Sequence, residues 1–128
     1  MFWVAAICVL SSISGDKLSP YMLHIAHWDK ICHSVAFATG AVLLTFAMRT
    51  STRLSPLLLI PLVVSCISLF GAIDEWHQLS TPGRSGADVW DWLADTAGAT
   101  LGVFVTYARP RARISAPAEP DRAVAAAD

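Results

Sequence analysis

Two long stretches without charge constrain this chain more than any other feature. From Leu54 to Ile73 there is no Asp, Glu, Lys or Arg for 20 residues, and from Ile31 to Met48 there is none for 18. His33 is the one readily ionised side chain in the second stretch. A helix needs about 17–25 mostly apolar residues to cross a bilayer, where backbone polar groups have only one another to bond. Both stretches are therefore predicted spans. The composition agrees: 55% of residues are hydrophobic and 15% charged, against about 45–50% and about 25% in soluble domains. That hydrophobicity excludes disorder for most of the chain. A net charge of −1 lacks the basic excess of a nucleic-acid binder, so no nucleic-acid partner is expected. Cys8, Cys32 and Cys66 are odd in number and widely spaced, so they form no disulfide framework. Two of them lie in apolar runs and read as small core residues.

Two further segments qualify in part. Val89 to Ala108 is apolar except for Asp91 and Asp95. Met1 to Gly15 is uncharged, yet as a helix it reaches only about 22 Å, short of a hydrocarbon core of about 30 Å. Ser12-Ile13-Ser14 would suit a signal-peptide cleavage site, but no Lys or Arg forms the basic region that precedes one. The preferred reading is a first transmembrane helix. The expected fold is all-α: an integral membrane bundle of four transmembrane helices over residues 1–109, then a disordered cytoplasmic tail over 110–128 rich in Ala, Pro and charge. Arg49 and Arg53 follow the second span, and Arg109, Arg111, Arg113 and Arg122 follow the last. Four spans put both groups on one side, and the positive-inside rule makes that side the cytoplasm. Both termini are then cytoplasmic, and the connections Asp16–Lys30 and Asp74–Ser85 face outward.

Punctuation refines this picture. Pro56 suits the first turn of the third helix, and Pro61, inside it, predicts a kink. Ser85 and Asp88 have capping-box spacing, which predicts that the fourth helix starts near Gly86. Trp28, Trp76, Trp90 and Trp92 fall near span ends on the outer side, as in an interfacial aromatic belt.

The polar residues at that side are the candidate site. Asp29 and His33, one helical turn apart, can bond to each other. In blander roles Asp29 caps the helix and Lys30 reaches to the headgroups. Asp74 and Glu75 sit at a helix C-terminus, where acids oppose the macrodipole, so a specific use is expected of them. Gln78 shares their face. Arg84 beside a helix N-terminus suits an anion such as phosphate; its alternative is to neutralise Glu75 or Asp91. Asp91, Asp95, Gly98 and Gly102 share one face. The glycines allow close helix approach, including a homodimer through Gly98 and Gly102. Buried aspartates in a membrane need a partner or water. His24, His27, His33 and His77 with Glu75 are ligand types for a metal, but no tight motif such as HExxH is present. No metal site and no cofactor are expected.

Asp29-Lys30-x-x-His33, then Asp74-Glu75-Trp76-His77-Gln78, Pro82-Gly83-Arg84-Ser85, Asp91, position 95, Gly98 and Gly102 together resemble the VanZ-like family of small multi-pass membrane proteins. The resemblance covers roughly Asp29 to Val103. The family pattern usually has asparagine at position 95, where this chain has Asp95; a protonated Asp95 would mimic it as a donor. The namesake is associated with resistance to the lipoglycopeptide teicoplanin. The resemblance implies action at the outer face of the cell membrane on a cell-envelope lipid or lipid-linked precursor. His33 and Glu75 are then the candidate acid–base pair. Asp29, Lys30, Asp74, Gln78, Arg84, Asp91 and Asp95 are candidate substrate-binding residues. Two alternatives stand beside this: non-enzymatic binding of an antibiotic or lipid headgroup, and a small dimeric transporter coupled to protons through Asp91 and Asp95.

Overall fold

The computed structural model describes residues 2–21 and 26–108. His24, the arginines from Arg109 onward and the expected tail 110–128 lie outside the described residues. Among those described there are five helices and no strand: α1 (Phe2–Ser11), α2 (Gly15–Leu18, running into a 3-10 turn over Ser19–Tyr21), α3 (Trp28–Ser51), α4 (Pro56–Gln78) and α5 (Val89–Ala108).

Two helices, α3 and α4, are long and apolar enough to cross a membrane. α1 and the segment Gly15–Tyr21 would pass together, but they are bent by 105° at the break between them. α1 alone, at 10 residues, is about 15 Å long, roughly half a hydrocarbon core. α5 has the length of a span but carries Asp91 and Asp95 in its first two turns. α4 begins with Pro56 in its first turn and continues as one helix through Pro61.

α3 and α5 run parallel in close contact. A Cβ on Gly98 would overlap the Ser34 carbonyl oxygen, and one on Gly102 the Ala38 carbonyl oxygen. The close approach that this glycine pair permits is thus made within the chain, to α3. Ser34 Oγ donates to the Ala94 carbonyl at 2.9 Å. At the far end Arg49 donates to the Thr106 carbonyl at 2.6 Å and lies over the Tyr107 ring. α4 runs antiparallel to both, and its Ser68 hydroxyl pairs with that of Thr96 at 2.8 Å. The core between the helices is Phe37, Ala41, Leu59, Val63, Ile67, Ala99 and Val103, with Ile7 from α1. Trp3 fills the space left open at Gly40, stands edge-on to Phe37 and donates its indole N–H to the Ala36 carbonyl at 2.9 Å.

Three expectations are corrected. α5 starts at Val89 rather than near Gly86, because Ala87 takes a left-handed conformation (φ 61°) that interrupts the helix. Asp88 is then the N-cap itself: its Oδ1 accepts the Trp90 N–H at 2.8 Å. That bond, followed by Lys30, holds the Asp88 carboxyl below the usual carboxylate range. Ser85 and Asp88 therefore form no capping box. The cysteines are exposed rather than part of the core. Of the four tryptophans, Trp76 and Trp90 are mostly exposed near the ends of α4 and α5, whereas Trp28 is partly buried and Trp92 donates its indole N–H to the Ser68 carbonyl at 3.1 Å.

Candidate functional site

The C-terminal ends of α1 and α4 and the N-terminal ends of α3 and α5 meet at one end of the bundle, joined by the α4–α5 loop. The loop is pinned by backbone contacts. The Ala87 N–H donates to the Glu75 carbonyl at 3.0 Å, and the Gly15 N–H to the Pro82 carbonyl at 3.0 Å. Gly86 lies so near Gln78 and Leu79 that a Cβ would strike their backbone.

Three polar groupings share this end. In the first, the Lys30 ammonium reaches Asp91 at 2.7 Å, Asp29 at 2.8 Å and Asp88 at 3.3 Å. Lys30 is thus bound to carboxylates rather than turned to the headgroups. A lysine supplies three donors, and here each has an acid.

In the second, His33 Nδ1 lies 2.9 Å from Asp95 Oδ1. The expected Asp29–His33 bond is not formed: Asp29 pairs with Lys30, and the histidine turns inward across to α5. Asp95 is fully buried, and its Oδ2 has no hydrogen-bond partner among the described residues. Glu75 completes this grouping, with ligand-type atoms of all three residues within 4.8 Å of one another.

The third grouping is held by α4. Asp74 Oδ1 accepts the Ser11 hydroxyl at 2.6 Å and its Oδ2 accepts the Gln78 amide at 2.9 Å. Glu75 Oε2 accepts the Asp88 N–H at 2.9 Å. The two acids that oppose the macrodipole are thus offset by donors from other elements. Ser11 also accepts, through its carbonyl, the Thr81 hydroxyl at 3.0 Å. Ser11 and Thr81 are site residues that the sequence reading missed. The one signal for Ser11 is a serine pair, Ser11-Ser12, at the end of an uncharged segment, and for Thr81 the turn sequence Thr81-Pro82-Gly83.

A cavity of about 490 Å3 opens between these groupings. Its wall includes Asp29 and His33 of α3, Asp74 and Gln78 of α4, Asp91 of α5 and Arg84 of the loop, with Ile7, Leu10 and Phe37 as apolar lining. Lys30, Glu75 and Asp95 do not form part of the wall. Arg84 makes no ion pair among the described residues, and its buried Nε has no hydrogen-bond partner there. It therefore neutralises neither Glu75 nor Asp91. An arginine fork aimed at a cavity is suited to a planar or tetrahedral oxyanion.

A family model described as VanZ/LLP1 matches residues 2–109. No curated protein and no solved structure matches the chain.

Proposed function

The chain belongs to the VanZ/LLP1 family, and from that premise we propose that this membrane protein binds the anionic headgroup of a cell-envelope lipid or lipid-linked precursor at the outer face of the cell membrane. The observation that carries the reading is Arg84: a half-buried guanidinium on the cavity wall with no acid bound to it among the described residues. The apolar lining from α1 and α3 accepts the first methylenes of a lipid, and the polar end receives its phosphate. Asp29, Asp74, Gln78 and Asp91 orient the headgroup, with Lys30 restraining the acids. His33, whose Nδ1 is taken up by Asp95, is the cavity group placed to move a proton. Glu75 acts behind it. Protection against teicoplanin-type antibiotics would follow from altered presentation of such a lipid.

A second reading, recognition without chemistry, draws support from Glu75. Its carboxylate is bonded to the Asp88 N–H at 2.9 Å and stands 3.5 Å from the Gln78 amide, which suits a structural acid better than a proton carrier. Purified protein in nanodiscs, titrated with a polyprenyl phosphate and assayed for its conversion, separates the two: conversion supports chemistry, and binding without it supports recognition alone. Arg84→Gln is expected to weaken binding about 10–100-fold, the worth of a charge-assisted bond. His33→Ala is expected to retain binding and lose any turnover. Unchanged binding by Arg84→Gln sinks the headgroup reading.

The topology proposed with it has four crossings, with both termini in the cytoplasm. α5 is counted as a crossing because it lies along α3 from Ser34–Gly98 to Arg49–Thr106, and α1 with the bent segment after it as the first. In intact cells, a cysteine at position 80 in a background lacking Cys8, Cys32 and Cys66 is expected to react with an impermeant thiol reagent. One at position 116 is expected to stay protected. The reverse pattern would turn the cavity to the cytoplasmic leaflet.

A further inference from the structure

We infer that His33, Glu75 and Asp95 bind a divalent first-row transition cation, Zn2+ or Mn2+, where α3, α4 and α5 converge behind the cavity. The three residues come from three helices, and one ligand atom from each lies within 4.8 Å of the others. Ligands about 2.0–2.2 Å from a common centre stand within about 4.4 Å of each other, so modest side-chain closure completes the site.

A second observation points the same way. Asp95 has a side chain with no exposed surface. It spends Oδ1 on His33, and its Oδ2 has no hydrogen-bond partner among the described residues. An unpartnered carboxylate oxygen inside a bundle costs several kcal/mol, and a cation removes that cost. The space is kept by Gly71: a Cβ there would lie 2.8 Å from Oδ2.

Charge balance gives a third argument. Lys30 already serves three aspartates, and Arg84 reaches no carboxylate among the described residues. In the ionised form that ligation requires, two buried carboxylates outweigh even a protonated imidazole. A divalent ion corrects this within the low-dielectric interior. The donor set decides its class. One imidazole nitrogen with two carboxylates favours Zn2+ or Mn2+ over Mg2+ and Ca2+, which prefer all-oxygen shells. Three protein ligands also leave a coordination position open.

This inference goes beyond the headgroup reading and does not rest on it. In its terms His33 is a ligand, so its loss lowers metal content as well as any activity. The test uses the full chain in nanodiscs, stripped with chelator and titrated separately with ZnCl2, MnCl2 and MgCl2. Metal retained after desalting and the melting temperature are the readouts. About one Zn2+ or Mn2+ per chain and a raised melting temperature are expected, with Mg2+ ineffective. Asp95→Asn keeps the shape of the side chain, and Glu75→Gln provides a second variant should the first not fold. Each is expected to weaken binding at least about tenfold, while His77→Asn, altering an exposed histidine bonded to Ser12, leaves it unchanged. The inference is overturned by sub-stoichiometric metal, by wild-type affinity in folded Asp95→Asn or Glu75→Gln, or by loss of the metal in His77→Asn. Polyprenyl phosphate binding measured on the same sample separates the readings. Lipid bound without metal defeats only the cation, and metal bound without lipid defeats only the headgroup.

Discussion

Gly98→Leu is expected to unfold the bundle or to lower its melting temperature far more than Ala97→Leu one position away. The added Cβ alone would overlap the Ser34 carbonyl oxygen, so the obstacle is backbone and cannot rotate away. Ordinary overpacking of a core costs about 1–3 kcal/mol. Here α3 and α5 must separate, and the bonds that depend on their spacing are lost with the contact: Ser34 to Ala94, His33 to Asp95 and Lys30 to Asp91. A loss of about 3 kcal/mol or more follows from that overpacking together with the broken bonds. Ala97→Leu is the control, because Ala97 is the exposed neighbour on the same helix and a larger apolar side chain there has room. Thermal melts of both variants in the same detergent decide the matter. Equal melting temperatures would mean that the glycine face is not where α3 and α5 meet.

The second large effect is expected at Lys30. Lys30→Met keeps the length of the side chain and removes the charge. Asp91, nearly buried, loses the partner that now lies 2.7 Å away, and Asp29 and Asp88 lose theirs. Breaking a fully buried pair costs about 3–5 kcal/mol. Lys30 keeps about a quarter of its side-chain surface exposed, so a smaller loss, about 2 kcal/mol, is expected after screening. Coupling identifies the cause. Lys30→Met combined with Asp91→Asn is expected to recover at least about 1 kcal/mol relative to Lys30→Met alone, since contacting residues are not additive. Strict additivity would show that the lysine is a peripheral charge and that Asp91 has other support.

Several elements were legible in the sequence because one-dimensional signals suffice for them. The uncharged stretches around Val42 and Val63 predict α3 and α4, and both are the helices apolar enough to cross a membrane. The 4, 3, 4 spacing of Asp91, Asp95, Gly98 and Gly102 places all four on one face, and all four are buried. Other features were not legible, for a physical reason. Capping-box spacing at Ser85 and Asp88 was outweighed by the positive φ at Ala87, which the loop adopts to bond Glu75. The Asp29–His33 pairing was local and plausible, yet each residue found a stronger partner: Lys30 next door, and Asp95 on another helix. Ser11 acquired a role only because α1 ends beside Asp74.

What the sequence by itself determined is the medium and the kind of structure. Long uncharged runs of this length satisfy their own backbone as helices in a membrane, and the polar residues that interrupt them must face a partner or water. What only the tertiary structure decided is which of those residues touch. Lys30 and Asp91 are 61 positions apart, His33 and Asp95 62, and Ser11 and Asp74 63. Their contacts depend on the parallel pairing of α3 with α5 and on the half-length α1 wedged beside α4. Helical periodicity reports which face a residue occupies on its own helix. It carries no information on which helix lies opposite, and that choice is made by packing: two glycines against two carbonyl oxygens.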